Sequence, residues 1–294
     1  MKRSAFIALA VAAGVATAGC SATIPGTPTA ATSLSAAQPS RGVTHSSQVE
    51  LPFDNHNVIM LAGITVDAAD NLYVLDFYGQ AWQMAPGADK PKLVFTDLGR
   101  PVDAATDAAG NLYVTDVSQN RVLKLAPRTS TPTVLPFTDL NRIAGVAVDT
   151  AGNVYVGDAG NNRILRLAPG ATSPIELPFN HIHPRALAVD TGGNVYVADE
   201  GGQRVMKLAP GADSPTVLPF THLKRPTAVA VDTRGNVYVT DQNADRVLKL
   251  DAGASSSTTL PFNGLYGPCG LAVDSKGNVY LSDLSVRILK LPAP

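Results

Sequence analysis

Residues 145–179 read GVAVDTAGNVYVGDAGNNRILRLAPGATSPIELPF, and this unit recurs along the chain with small changes. Its first aspartate falls at Asp67, Asp107, Asp149, Asp190, Asp232 and Asp274, at intervals of 40, 42, 41, 42 and 42 residues. So regular a period belongs to a stacked or closed array of supersecondary units. Four short apolar stretches make up one unit. The first is small and apolar, as in Gly145-Val146-Ala147-Val148. The second alternates, as in Asn153-Val154-Tyr155-Val156, and is β-branched and aromatic. The third is Arg163-Ile164-Leu165-Arg166-Leu167, and the fourth is the Val-Leu-Pro-Phe segment or its equivalent. No stretch carries a helical period of useful length, so each reads as a strand. The prediction is an all-β chain: a six-bladed β-propeller of four-stranded blades.

The strand order within a blade follows from residue size and proline. The smallest side chains suit the crowded inner end of a wedge around an axis, which places the first strand innermost. Proline cannot donate to a ladder, so Pro52, Pro136, Pro178, Pro219 and Pro261 put the fourth strand on the outer edge. In the first turn, Asp-x-x-Gly-Asn, the aspartate is expected to accept from turn amides while glycine takes a positive φ. A second aspartate recurs at Asp76, Asp116, Asp158, Asp199, Asp241 and Asp283. Five of these are followed by an arginine: Arg121, Arg163, Arg204, Arg246 and Arg287. Residues repeated in every unit belong to a symmetric scaffold, so these are expected to form structural ion pairs. The folded part begins with a lone fourth strand, Val49 to Phe53, and ends with a lone first-to-third set, Gly270 to Leu291. Joining the two completes a sixth blade and removes the open ends of the array.

The wording A-V-D-T-x-G-N-V-Y-V-x-D, N-R-V-L-K-L and V-L-P-F-T resembles the NHL repeat. It is also similar to the extracytoplasmic sensor domain of mycobacterial receptor serine/threonine kinase D. The resemblance spans residues 48–294 and implies a six-bladed propeller. No kinase sequence accompanies it, so phosphorylation is not expected to carry over. Blade one departs from the pattern: Asp70 replaces the turn glycine, and Phe77-Tyr78-Gly79-Gln80-Ala81-Trp82 replaces the N-R-V stretch.

Residues 1–19 read as a signal peptide. Lys2 and Arg3 precede an apolar run, Ala5 to Ala16, that is too short to span a bilayer. Thr17-Ala18-Gly19-Cys20 resembles a lipobox, which implies lipidation of Cys20 and a lipid-anchored, extracytoplasmic protein; Ala16-Thr17-Ala18 is the alternative, a site for ordinary secretion. Residues 20–47 are rich in Ser, Thr, Ala and Pro and read as a tether. The chain has two cysteines, so lipidation of Cys20 would leave Cys269 without an intrachain partner, as a small buried apolar residue. A formal net charge of −1 gives no field for nucleic acid, and membrane contact is expected only through the lipid.

Function is sought where the repeat is broken. The fourth-to-first loops are predicted at 54–62, 96–103, 138–144, 180–185, 221–227 and 263–269. Aligned on the repeat aspartate, one loop position reads Met60, Arg100, Arg142, His183, Arg225, Gly267. Arg185, Lys224, His181 and His222 lie nearby. This is a candidate positive rim for an anionic ligand; the alternative is a set of arginines paired with Asp103, Asp139 or other neighbours. His181, His183 and His222 lack an accompanying carboxylate pattern, so no metal is assigned to them. Tyr78 and Tyr266, in loops of blades made adjacent by closure, suit a protein or glycan partner, and Trp82 reads as packing. Three classes compete: a binding or sensing module for a protein, peptide or cell-wall ligand; a channel enzyme of the lactonase or lyase type; and an assembly lipoprotein. The inner strands read as Val, Ala, Leu and Gly without an acidic constellation, and no nucleophile motif appears. The expectation is therefore a monomeric binding propeller, not an enzyme, with no cofactor.

Overall fold

The computed structural model describes residues 47–53, 61–129 and 131–293. Cys20, the signal peptide, most of the tether and Met60 lie outside the described residues. Among those described, the strands form six four-stranded antiparallel sheets. Blades one to five run through residues 61–95, 101–134, 143–176, 184–217 and 226–259. Within each, chain order equals spatial order, as in an up-down meander. In the sixth blade, Val49–Glu50 pairs with Ile288–Leu291, through Val49 opposite Lys290 and Glu50 opposite Leu289. No helix among the described residues is long and apolar enough to cross a membrane.

The inner strands are small because adjacent blades touch there. A Cβ on Gly63 would lie 2.7 Å from the Asp103 Cα, and one on Gly145 would lie 2.7 Å from the Ala186 Cα. Farther out, apolar side chains of neighbouring blades interlock. One cluster joins Tyr196, Val205 and Phe220 to Val229, Val239 and Leu248 across the seam between blades four and five.

The outer edge differs from the sequence reading in one respect. Outside blade one, whose fourth strand is Lys92–Phe95, the fourth strands are two residues long, as at Thr133–Val134 and Thr216–Val217. The Leu-Pro-Phe segment follows them instead of forming them. Leu135 still donates its N–H to Val122 at 2.9 Å, but Pro136 has no N–H, and the ladder stops there. The chain then turns inward, and the phenylalanine plugs the seam to the next blade, as Phe179 and Phe220 do.

At the closing seam the plug is Phe53. It is 1% exposed and packs with Ile64, Val74 and Met84 of blade one and with Tyr280 and Ile288 of blade six. Gln48 exchanges two hydrogen bonds with the Asn263 backbone, at 2.8 and 3.0 Å. On the far face, Asp70 accepts from the Ser275 N–H and hydroxyl, both at 2.9 Å. The departure of blade one from the turn pattern is thus a latch onto blade six. Asp70 takes φ 62°, the left-handed conformation that glycine takes in the other blades.

Phe53→Ala should destabilise the domain by about 3–5 kcal/mol, the cost of emptying a buried aromatic site. Deleting residues 48–53 should cost more. Chemical denaturation checks both; a truncated chain that unfolds at the parent midpoint would refute closure by this strand.

Candidate functional site: the channel and its rim

The first-turn aspartate works as predicted, with an addition. Asp107 Oδ1 accepts the N–H groups of Ala109 and Asn111, while Oδ2 accepts Asn111 Nδ2 at 2.6 Å and the Tyr113 hydroxyl at 2.9 Å. The equivalent tyrosines, from Tyr73 to Tyr280, bind their own aspartates in the same way. Burial, together with the adjacent carboxylate, raises the Tyr155 hydroxyl to about 12.

The second aspartate reaches the candidate rim. Asp116, Asp158, Asp199 and Asp241 are fully buried and ion-pair within their blades to Arg121, Arg163, Arg204 and Arg246 at 2.7–2.9 Å. Asp283 pairs with Arg287 in the same manner. Their other oxygens hold the fourth-to-first loops by the backbone: Asp116 accepts from Arg100 N–H, Asp158 from Asn141, Asp199 from His183 and Asp241 from Arg225, at 2.8–3.0 Å. Burial pushes the Asp116 carboxyl up, but the Ser118, Arg100 and Arg121 hydrogen bonds outweigh it and hold it below the usual range. Blade one has no arginine here. Trp82 Nε1 donates to Asp76 at 3.4 Å instead, and burial leaves that carboxyl raised. Trp82 thus lies in the third strand, as expected, and also serves as a donor.

The repeated arginines explain two of the histidines. Arg204 and Arg246 donate through Nη2 to the backbone carbonyls of His181 and His222, at 3.1 and 2.8 Å. Both histidines take positive φ, 52° and 56°, as Asp139 does at the equivalent place in blade three. Their backbones are structural, and their side chains are exposed at the surface.

The rim residues are less uniform than their alignment suggests. Arg142 and His183 are exposed, whereas Arg100 is half-buried, with its guanidinium 5.3 Å from the Phe77 ring centre. Arg225 pairs with Glu200 of the preceding blade at 2.6 Å. Tyr78 and Tyr266 are 63% and 52% exposed. Lys224 is exposed and donates its N–H to Asp241.

Arg185 belongs to the channel. The first strand of blade four begins at Pro184 and that of blade two at Pro101, so Arg185 and Asp103 lie in strands, not in loops as predicted. Proline is tolerated as the first strand residue, which is why these prolines open the strands and do not merely pin the loops. Pro184 faces Asp199 and Ala186 faces Ala198, so Arg185 is the extra residue of a bulge, a feature that re-aims a side chain. The channel is a cavity of about 240 Å³ lined by the six first strands, and Asp103 and Arg185 are the charged residues in its wall. Asp103 Oδ2 accepts the Val146 N–H of blade three at 3.1 Å. Burial raises Asp103 to about 7 against the pull of the Val146 and Ala104 N–H groups and Arg185. Burial also lowers Arg185 to about 10; Glu200 and Asp103 favour its charge, and Arg225 opposes it.

The reading of the inner strands as free of acids is therefore corrected. Four residues before the repeat aspartate the chain reads Gly63, Asp103, Gly145, Ala186, Ala228, Gly270, and one acid among small residues was the available signal. The predicted loop 96–103 covers that position. Cys269 also lines the channel. It is 7% exposed, in line with its reading as a small buried residue, and its Sγ lies 3.6 Å from the Ser282 hydroxyl. Among the described residues, no three His, Cys, Asp or Glu side chains are grouped to hold a metal ion.

The NHL repeat family model matches residues 140–167, the first three strands of blade three. No curated protein matches the sequence. Virginiamycin B lyase from Staphylococcus aureus is similar in structure, with TM-score 0.65 and 12% identity over 84% of this chain and 99% of that one. A chain of the nidogen/laminin complex gives TM-score 0.66 and 22% identity, over 78% and 95%. A gluconolactonase from Xanthomonas campestris gives 0.68 and 14%, over 80% and 86%. At these identities the likeness is one of fold. The chain is a six-bladed β-propeller whose third blade carries an NHL repeat.

Because the Asp103 carboxyl is raised from 3.8 to about 7, folding favours its protonated form. Its contribution is full below the unfolded-state value and is lost as pH rises through about 7. Asp103→Asn should therefore flatten the fall in stability over that window, as read by thermal melts across pH. The hydrogen-bonded carboxylates Asp107, Asp116, Asp190 and Asp232 are shifted downward and act at lower pH, so they leave this window unchanged.

Proposed function

We propose that this propeller is an extracytoplasmic binding module that captures an acidic protein, peptide or cell-wall ligand on the channel rim. One observation carries the reading. Basic side chains that break the repeat stand at equivalent places around one opening, and buried aspartates fix three of those backbones, at Arg100, His183 and Arg225. A rigid frame lowers the ordering cost of binding. Arg142 and His183 present charge or potential charge to solvent, and Tyr78 and Tyr266 add exposed aromatic surface on the blades that closure joins. The module acts as a monomer, without a cofactor and without nucleic acid. A channel enzyme is the second reading. It draws on Asp103, a carboxyl held near neutrality and so able to give and take a proton. Lactone hydrolysis that Asp103→Asn abolishes would move the protein to that class.

The rim is tested with a poly-glutamate probe. Each guanidinium contact to an anion contributes about 1.5–3 kcal/mol, so Arg100→Ala with Arg142→Ala should weaken capture more than tenfold and reduce its salt dependence. A double variant that folds and binds normally would remove the rim as the site. For anchoring at Cys20, Cys20→Ala should release the protein from the membrane fraction, and the mature mass should show acylation. One sulfur cannot be both acylated and disulfide-bonded, so an unmodified mass with an intrachain disulfide would overturn the lipid anchor.

A further inference from the structure

We propose that the groove between blades one and two, on the face of the hairpin turns opposite the rim, binds a small organic phosphate monoester between Arg128 and Lys92. The groove is a cavity of about 460 Å³ with Tyr73, Phe95, Leu112 and Pro127 in its walls beside these two cations. Three observations lead there. First, the chain departs from its own pattern at both positions. The same groove recurs between blades three and four, and there Ile175 and Gly211 hold the places of Lys92 and Arg128. In blades two, four and five the place of Lys92 goes to Thr133, Thr216 and Thr258.

Second, Arg128 sits where the backbone favours glycine. The turn is closed by the Thr129 N–H donating to the Ala126 carbonyl at 3.2 Å, with Pro127 in second place and Arg128 in third. Arg128 takes φ 63°, and Gly87, Gly170, Gly211 and Gly253 take 72–76° at the same point of the other turns. A left-handed third position suits glycine and is disfavoured for a residue with a Cβ. Folding alone therefore gives no reason for an arginine here. Third, the cation of blade one has moved. In four blades a lysine of the third strand stands over the ring of the tyrosine opposite it, at 5.3–5.8 Å. In blade one Gln83 takes that place and donates Nε2 to the Tyr73 hydroxyl at 2.7 Å. Lys92 lies across from Gln83 in the fourth strand instead. Lys92 and Arg128 are exposed, and among the described residues neither side chain has a hydrogen bond, an ion pair or a ring contact. Asp67 is the carboxylate of the groove, and its oxygens are taken by Ala69, Asn71 and Tyr73. A phosphate monoester carries roughly two negative charges near neutrality. The arginine fork matches two of its oxygens, and lysine adds a point charge. The apolar and aromatic walls receive the organic part, the usual form of a small-molecule site.

The probe is phenyl phosphate, titrated into the full-length chain and followed by calorimetry, with methyl phenyl phosphate as the singly charged match. Phenyl phosphate should bind, and roughly tenfold or more tightly than the diester. Arg128→Gly and Lys92→Thr restore the residues of other blades, so both variants should fold. Each should weaken binding by roughly tenfold or more, the loss of one charge-assisted contact. Lys207→Gln, at a repeated lysine over Tyr196, should leave binding unchanged, and so should the rim variant Arg100→Ala with Arg142→Ala. Competition by phosphatidylcholine vesicles that contain phosphatidic acid, and not by phosphatidylcholine alone, would assign the monoester to a lipid headgroup; without competition it is a soluble compound. No binding of phenyl phosphate, equal affinity for the diester, or unchanged binding by a folded Arg128→Gly would each overturn the proposal.

Discussion

A buried carboxylate at the end of each second strand is the interaction on which the upper face of this propeller depends. In blades two to five one oxygen takes the arginine that opens the third strand and the other takes a backbone N–H of the fourth-to-first loop. A charge buried this deeply is tolerated only while fully paired, and removing one partner of such a pair costs about 3–5 kcal/mol. The same arginines reach on to the loop carbonyls of Asp139, His181, His222 and Gly264. Loops that would otherwise be mobile are thereby clamped from below, and the rim inherits its geometry from the core.

The closed ring depends on a different device. Phe179 and Phe220 are buried in the seams ahead of blades three and four, and Phe53 fills the seam between blades six and one. The latch at Asp70 then ties the opposite face of that join. The seam between blades six and one thus has an additional polar fastening.

The period, the alternation of Val and Tyr and the lone strand at Val49 made the fold legible, because side-chain size and turn chemistry are local properties. Strand ends were less legible. Proline marks where a ladder cannot continue, and so it was mistaken for a member of the fourth strand when it stands just beyond it. The rim residues could be aligned, but not their partners, since Arg225 meets Glu200 only across a blade boundary. Asp103 was missed for a similar reason. A bulge shifts the register by one residue, and its consequence is visible only when six strands meet around one axis.

Two kinds of charge therefore share this face. Those repeated in every blade hold the scaffold and are saturated by their partners. Those that break the repeat distinguish one blade's rim from the next. A crystal of the propeller grown below neutral pH and soaked in bromide separates them directly, because anomalous scattering locates the anion. The account predicts bromide peaks at the exposed basic side chains of the rim, with none at the five repeated Asp–Arg pairs. Bromide at those repeated arginines, with none on the rim, would contradict it.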